Sequence, residues 1–257
     1  TDTRGDVVAF GSRVLDKSEP KYMNSSETPV YSKRRVLYGL NLAKKSKRPN
    51  IILCEGNLDI VTLHQAGFDN AVASMGTALT VEQTRLLSRF TKELVLCYDN
   101  DNAGKIATER ALQILNGSEF SVKVLQLPRR LVDGEYIKQD ADDFIKNYGP
   151  AAFENLLSGS ENGVEFRMAQ IAGKYDLKDD EARIAYCGEV SELLASLPGA
   201  VEREIYTGRA AEAAGITAEA MKLEVQRSFK RRIAREKRAE LRKDLNPAMA
   251  LQPKERS

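Results

Sequence analysis

Three groups of carboxylates stand just past apolar runs. Glu55 follows Ile51–Cys54, with Gly56 turning the chain and Asp59 four residues on. Asp99 and Asp101 follow Leu94–Tyr98. Asp140, Asp142 and Asp143 come after Val122–Leu127 and a long intervening stretch. Carboxylates on alternate residues after a strand, such as Asp99 and Asp101, point to one side and can share a hard cation, and magnesium takes oxygen ligands of this kind. Each group also has a purely structural role open to it. Asp59 in a first helical turn favours the helix dipole, the Asp99–Asp101 segment makes an acidic turn with an N-cap, and Asp140–Asp143 opens a helix. Taken together they say more. Carboxylates gathered at one place repel one another, and divalent cations resolve that conflict. A site of this type suits phosphoryl or nucleotidyl transfer, in which metals bridge phosphates and stabilise attacking and leaving oxygens.

The gathering depends on the elements beneath. From residue 50 onward short apolar runs alternate with helical patterns. Strands are expected at Ile51–Cys54, Ala71–Ser74, Leu94–Tyr98 and Val122–Leu127, and helices at about 58–66, 81–90 and 103–116. This alternation predicts an α/β fold, a mainly parallel sheet covered on both faces. Sites in such sheets form at the carboxyl ends of the strands, where all three acidic groups lie. Residues 1–48 read as strands and turns, including Val7–Phe10, of a partial α+β subdomain. Residues 49–150 form the α/β unit. Apolar residues at helical spacing make 151–226 a helical subdomain, with Thr217 as an N-cap, and the basic stretch at 227–257 reads as a solvated helix running into a linker.

Composition narrows the class. The 257 residues carry a net charge of only +2, so any nucleic-acid binding has to come from local basic patches. No apolar run approaches the roughly 18 residues that a membrane span needs, and no secretory pattern opens the chain. Its start at Thr1 reads as that of a fragment. Cys54, Cys97 and Cys187 are far apart and odd in number, and His64 is the one histidine. That set has no zinc spacing. Cys54 and Cys97, within apolar runs, read as buried reduced thiols, which suits a reducing cytoplasm.

Glu55-Gly56 with Asp59, followed by Asp99-Asn100-Asp101, resembles the Toprim motif of primases, topoisomerases, OLD-type nucleases and RecR-like proteins. The finer resemblance, over about residues 4–226, is to DnaG-type bacterial primases. It is carried by Gly11-Ser12-Arg13-Val14-Leu15, Pro20-Lys21-Tyr22-Met23-Asn24-Ser25, Glu27-Thr28-Pro29, Lys33 with Leu37-Tyr38-Gly39-Leu40, Ala73–Thr80, and Cys97-Tyr98-Asp99 leading to Ala103-Gly104. The resemblance implies a Toprim fold and metal-dependent synthesis of RNA primers from ribonucleoside triphosphates on single-stranded DNA, in the bacterial cytoplasm at the replication fork. It implies magnesium, with manganese as an alternative. Glu55, Asp99 and Asp101 become the metal carboxylates, Glu55 either binding metal or acting as acid/base. Asp59, Asp140 and Asp142 become supporting acids, Asp59 within the catalytic group and Asp140 and Asp142 at the metal, and Arg13, Lys21 and Lys33 the basic residues facing template and incoming nucleotide.

The chain departs from that pattern in places. Family members usually carry Asp-Pro-Asp where Asp140-Ala141-Asp142 stands, and the loop Arg129–Gln139 is longer than usual, which leaves Asp142 and Asp143 as alternatives in the third group. The family's zinc module and its helicase-docking C-terminal module are expected to have no counterpart, so that contact with the replicative helicase would run through a module outside this chain. Two rival readings remain at this point: another Toprim enzyme (a nuclease or topoisomerase fragment, although none of the nine tyrosines is marked as a nucleophile), and a non-catalytic single-strand-binding module.

Overall fold

Short apolar segments with alternating side-chain direction can be buried on both faces, and the central strands of this protein are. In the computed structural model, which describes residues 1–14, 22–74, 76, 78–132 and 134–245, the chain falls into two units, Thr1–Phe166 and Arg167–Ser257.

The first unit opens with β1 (Gly11–Arg13) paired antiparallel to β2 (Tyr22–Asn24). Then come β3 (Leu37–Tyr38), α1 (Leu40–Ala43), β4 (Asn50–Cys54), α2 (Asn57–Gln65), β5 (Ala71–Ser74), α3 (Val81–Leu87), β6 (Glu93–Cys97), α4 (Asn102–Leu115) and β7 (Ser121–Val124). After β7 follow β8 (Arg130–Val132), β9 (Glu135–Ile137), α5 (Ala141–Ser158), β10 (Glu161–Asn162) and α6 (Gly163–Ala172). The main sheet has the order β10-β7-β6-β4-β5-β3. Its four inner strands run parallel, while β3 and β10 close the edges antiparallel.

Alternation sorts the side chains of β4 and β6 into two cores. Ile51, Leu53, Leu94 and Leu96 pack with Leu87 of α3 and with Ala111, Leu112 and Leu115 of α4. Ile52, Cys54, Val95 and Cys97 pack with Ile60 and Leu63 of α2 and with Phe144, Phe153 and Leu157 of α5. This two-sided burial is what a parallel sheet requires. It also explains why 151–158 belongs with the α/β unit. Phe153 stacks edge-on against Phe68 at 4.8 Å, and α5 runs on to Ser158 through a break at Gly149 (φ 80°) and Pro150.

Three details differ from the sequence reading. Val7–Phe10 forms no strand; the pairing starts at Gly11. The long loop Arg129–Gln139 contains an antiparallel hairpin, β8–β9. Cys54 and Cys97, 43 positions apart in sequence, are direct partners in the β4–β6 register because a crossover through α2, β5 and α3 brings the strands together. Both are buried free thiols, and the Cys97 hydrogen bond together with burial holds Cys54 well above the ordinary thiol range.

The second unit is helical: α7 (Asp180–Ala195), α8 (Ala200–Ala214) and α9 (Ala218–Leu245). Gly215 (φ 64°) ends α8 in the left-handed conformation, and the Thr217 hydroxyl accepts from the Ala220 N–H at 3.2 Å, the cap read from sequence. Met221, Val225 and Ser228 are buried along one face of α9, at i, i+4, i+7 spacing. Farther along, through Arg238, the helix is exposed and largely basic. No helix among the described residues is long and apolar enough to cross a membrane.

Candidate active site

The parallel register aligns the carboxyl ends of β4 and β6, since Cys54 lies opposite Cys97. Glu55 is the first residue past β4 and Asp99 the second past β6, and both enter the same cleft. A polar cleft of about 450 Å³ opens there, lined by Glu55, Asp59, Asp99, Asp140, Asp142 and Asp143. Arg13, Asn24, Gly56, Asn57, Leu58 and Gly76 complete its wall. Two glycines allow the close approaches. A Cβ on Gly104 would lie 1.9 Å from the Asp99 carbonyl oxygen, so only glycine lets α4 start so near Asp99. A Cβ on Gly56 would lie 2.7 Å from Asp59 Oδ2.

The acids differ in what they already hold. Asp59, 6% exposed, accepts from the Gly56 N–H (3.1 Å) through one oxygen and from the Asp142 N–H (3.1 Å) through the other, tying the start of α2 to the start of α5. Asp140 caps α5 by accepting from the Asp143 N–H at 2.7 Å. Asp142 accepts from the Thr62 hydroxyl at 2.5 Å and from Lys146 Nζ at 2.6 Å. Asp101 caps α4, accepting from the Gly104 N–H at 2.8 Å through Oδ1, and its Oδ2 accepts from Lys138 Nζ at 2.9 Å. Glu55 is the exception: its Oε1 is buried without a hydrogen-bond partner.

The electrostatics follow these commitments. Burial, and then the Asp99 charge, raise the Glu55 pKa. Burial raises Asp99 as well, aided by Asp140 and Asp101 and opposed by Lys138. For Asp59, burial and the Asp140 charge outweigh two backbone hydrogen bonds and push the pKa up to about 7. Asp101 is held low, first by the Gly104 N–H and then by Lys138. Burial works to raise Asp142, but the Lys146 and Thr62 hydrogen bonds keep it below the usual carboxylate value. Clustered carboxylates with raised proton affinity and an orphaned buried oxygen fit a divalent cation, since charge and lone pairs both lack a partner there. Asp140, Asp142 and Asp143 can also bring oxygens within 4.8 Å of one another.

Of the residues singled out from sequence, Glu55, Asp59, Asp99, Asp140, Asp142 and Arg13 line one cleft. Asp101 stands beside it, linked to Asp99 through Lys138, which lies 3.6 Å from Asp99 Oδ2. Arg13 adds its charge to the field at Asp142. Lys33 is fixed by its backbone: its N–H donates to Glu27 at 2.7 Å, and its carbonyl accepts from Gln83 at 3.0 Å. It does not line the cleft. Lys21 lies outside the described residues. The sequence reading missed Asn57 and Lys138. Asn57 follows Glu55-Gly56 at the helix start. Lys138 sits two residues before Asp140, at the end of the extra-long stretch whose length was the available signal.

Three family models match: "DNA primase catalytic core, N-terminal domain" over residues 1–44, "Toprim-like" over 52–145, and "DnaB-helicase binding domain of primase" over 164–219. A DNA primase domain from Pseudomonas aeruginosa superposes with a TM-score of 0.71 at 32% identity, covering 88% of this chain and 70% of that one. The chain belongs to the DNA primase family. A DnaG primase catalytic domain bound to single-stranded DNA superposes equally well (TM-score 0.71, 32% identity, 85% of this chain and 68% of that one). The DNA primase of Clostridium acetobutylicum is 39% identical over 221 residues, 86% of this chain. That of Listeria monocytogenes is 36% identical over 235 residues, 90% of this chain. The chain spans about a third of the length of these curated primases, 36% in both cases. The match at 164–219 corrects the expectation that a helicase-docking module has no counterpart here. The helical spacing of this region was visible in sequence, but a helix pattern alone does not name a partner.

Proposed function

We propose that this chain is the catalytic core of a bacterial primase, joining ribonucleotides along a single-stranded DNA template in the cytoplasm. The observation that carries the reading is the convergence of Glu55, just past β4, and Asp99, just past β6, in one cleft, with Glu55 Oε1 buried and unpartnered. In the reaction a terminal ribose 3′-hydroxyl attacks the α-phosphate of a ribonucleoside triphosphate and pyrophosphate leaves. Magnesium is the expected cation, with manganese able to replace it, and it supplies charge neutralisation on the phosphates. Glu55, Asp99 and Asp101 would hold it. Glu55, with its proton affinity raised by burial and by Asp99, would either ligate the metal or take the proton of the attacking hydroxyl. Asp59 acts as a strut between α2 and α5, and Asp140 and Asp142, at the start of α5, stand on the same side as supporting acids of the metal site. Arg13, on the cleft wall, would serve as a cation for phosphate of template or nucleotide, a role that the family resemblance also extends to Lys21 and Lys33. Residues 164–219, by their family likeness, would contact the replicative helicase.

The test is template-directed incorporation of labelled ATP. The reading predicts RNA product that requires template and a divalent cation and disappears with EDTA. Nicking of the template without product would point to a Toprim nuclease. Template binding without either product would point to a non-catalytic binding module.

A further inference from the structure

The β8–β9 hairpin carries exposed apolar side chains at Leu131, Tyr136 and Ile137, yet its base is fastened to the α/β unit. The Gln139 amide, itself buried, donates to the Pro128 carbonyl at 2.8 Å, and Arg130 donates to Asn147 of α5 at 2.9 Å. Lys138 stands between the end of β9 and the Gln139 clamp, so its stem leaves from a fixed point. Its Nζ lies 2.9 Å from Asp101 Oδ2 and 3.6 Å from Asp99 Oδ2, bridging the two acids. The lysine side chain is 57% exposed, so neither burial nor packing holds it there. The attraction of the two carboxylates does. Lysine is a compact monovalent charge on a flexible four-carbon stem, able to leave without disturbing the hairpin.

We infer that Lys138 is a tethered counter-cation of the metal site, pairing Asp99 and Asp101 in the metal-free protein and giving up their oxygens when a divalent cation binds. It thereby sets the metal concentration that the site requires. The inference rests on the reading of Asp99 and Asp101 as metal carboxylates. An ammonium and a divalent cation at the same carboxylate oxygens repel each other, so a resident ammonium scales the apparent metal affinity down to the fraction of molecules in which the pair is open. The tether raises the local concentration of the ammonium at the two acids, and salt, which screens an exposed pair, lowers the paired fraction.

The experiment is a titration with Mn2+ alone, without nucleotide or template, with free Mn2+ followed by electron paramagnetic resonance. The proteins are wild type, Lys138→Ala, Lys138→Gln, Lys138→Arg and Asp101→Asn. Removing an exposed ion pair of this kind should tighten Mn2+ binding by about fivefold in the Ala and Gln variants. The Arg variant should restore the wild-type affinity. The metal-free melting temperature should fall in the Ala and Gln variants, where the carboxylates lose their counter-charge. Unchanged or weaker Mn2+ affinity in both variants, with Asp101→Asn still weakening it, would overturn the inference and leave the metal reading intact. If Asp101→Asn leaves Mn2+ affinity unchanged, the metal reading itself fails and the inference falls with it.

Discussion

On the strand side of the cleft, Glu55 and Asp99 emerge from β4 and β6 with raised proton affinity, and one Glu55 oxygen has no partner. On the helix side, Asp59, Asp140 and Asp142 are the same kind of residue at nearly the same place, but their oxygens are engaged by backbone N–H groups, Thr62 and Lys146. The contrast separates carboxylates committed to the frame from Glu55, which keeps one oxygen unengaged, and Asp99, whose ion-pair partner is the exposed Lys138. Asp59, whose two oxygens each accept a backbone N–H, contributes to architecture. An acid whose oxygen is desolvated and unpaired stores an unfavourable interaction that a cation or a proton relieves.

The comparison is sharpened most by Glu55→Gln. Loss of a group at the reacting centre should lower the incorporation rate by about two to four orders of magnitude while leaving single-strand affinity unchanged in an anisotropy titration. Equal losses of rate and affinity would move Glu55 to the binding side.

Gly104→Ala tests the architecture beneath. A Cβ 1.9 Å from the Asp99 carbonyl cannot be accommodated without shifting α4, so urea unfolding should show a loss of about 1–3 kcal/mol, with incorporation reduced further than stability alone explains. A neutral result would mean that Asp99 and the start of α4 are not held as closely as described.

A third break concerns pH. Asp59 titrates near 3.8 in an unfolded chain and at about 7 in the fold. Between those values the folded state binds more protons than the unfolded one, so the stability of the metal-free protein falls as pH rises through that window. Glu55 and Asp99, also raised, act in the same direction. Asp101 and Asp142, held low, act oppositely, and their stabilising pairs are lost as pH drops below the usual carboxylate range. Metal-free melting temperatures should therefore decline from weakly acidic to neutral pH, and Asp59→Asn should flatten that decline. A decline of the same steepness in Asp59→Asn would remove Asp59 from this account.

The smallest effect is expected at the mouth. If Arg13 meets a template phosphate, Arg13→Ala should flatten the log-affinity against log-salt slope by roughly 0.7. An unchanged slope would leave Arg13 as a local counter-charge to Asp142.

Much of this was legible before the structure because the signals were local. Apolar runs ending in acids at Glu55 and Asp99 announced parallel strands and a site at their carboxyl ends, and β4, β5 and β6 fell within a residue of expectation. Thr217 was legible as a cap for the same reason. What could not be read depended on contacts far apart in sequence. The Cys54–Cys97 register follows from strand order. The strut role of Asp59 depends on an N–H 83 positions away, at Asp142. The meeting of Lys138 with Asp101 needed the hairpin to fold back over 37 positions, and its length was noticed without its consequence. The Gly149-Pro150 step does break the helix, as its residue types announce, but the packing of the following turns against the sheet through Phe153 and Leu157 was not legible in sequence.

The central claim is that carboxylates at the ends of β4 and β6 serve metal-dependent nucleotidyl transfer, and Asp99→Asn tests it most directly. Its incorporation of labelled ribonucleotide should be measured on a single-stranded template across a magnesium titration. Removing one charge from a crowded site relieves repulsion, so the variant should fold at least as stably as wild type without metal. The account predicts that it makes no RNA at any magnesium concentration. Synthesis near the wild-type rate at saturating magnesium would contradict it.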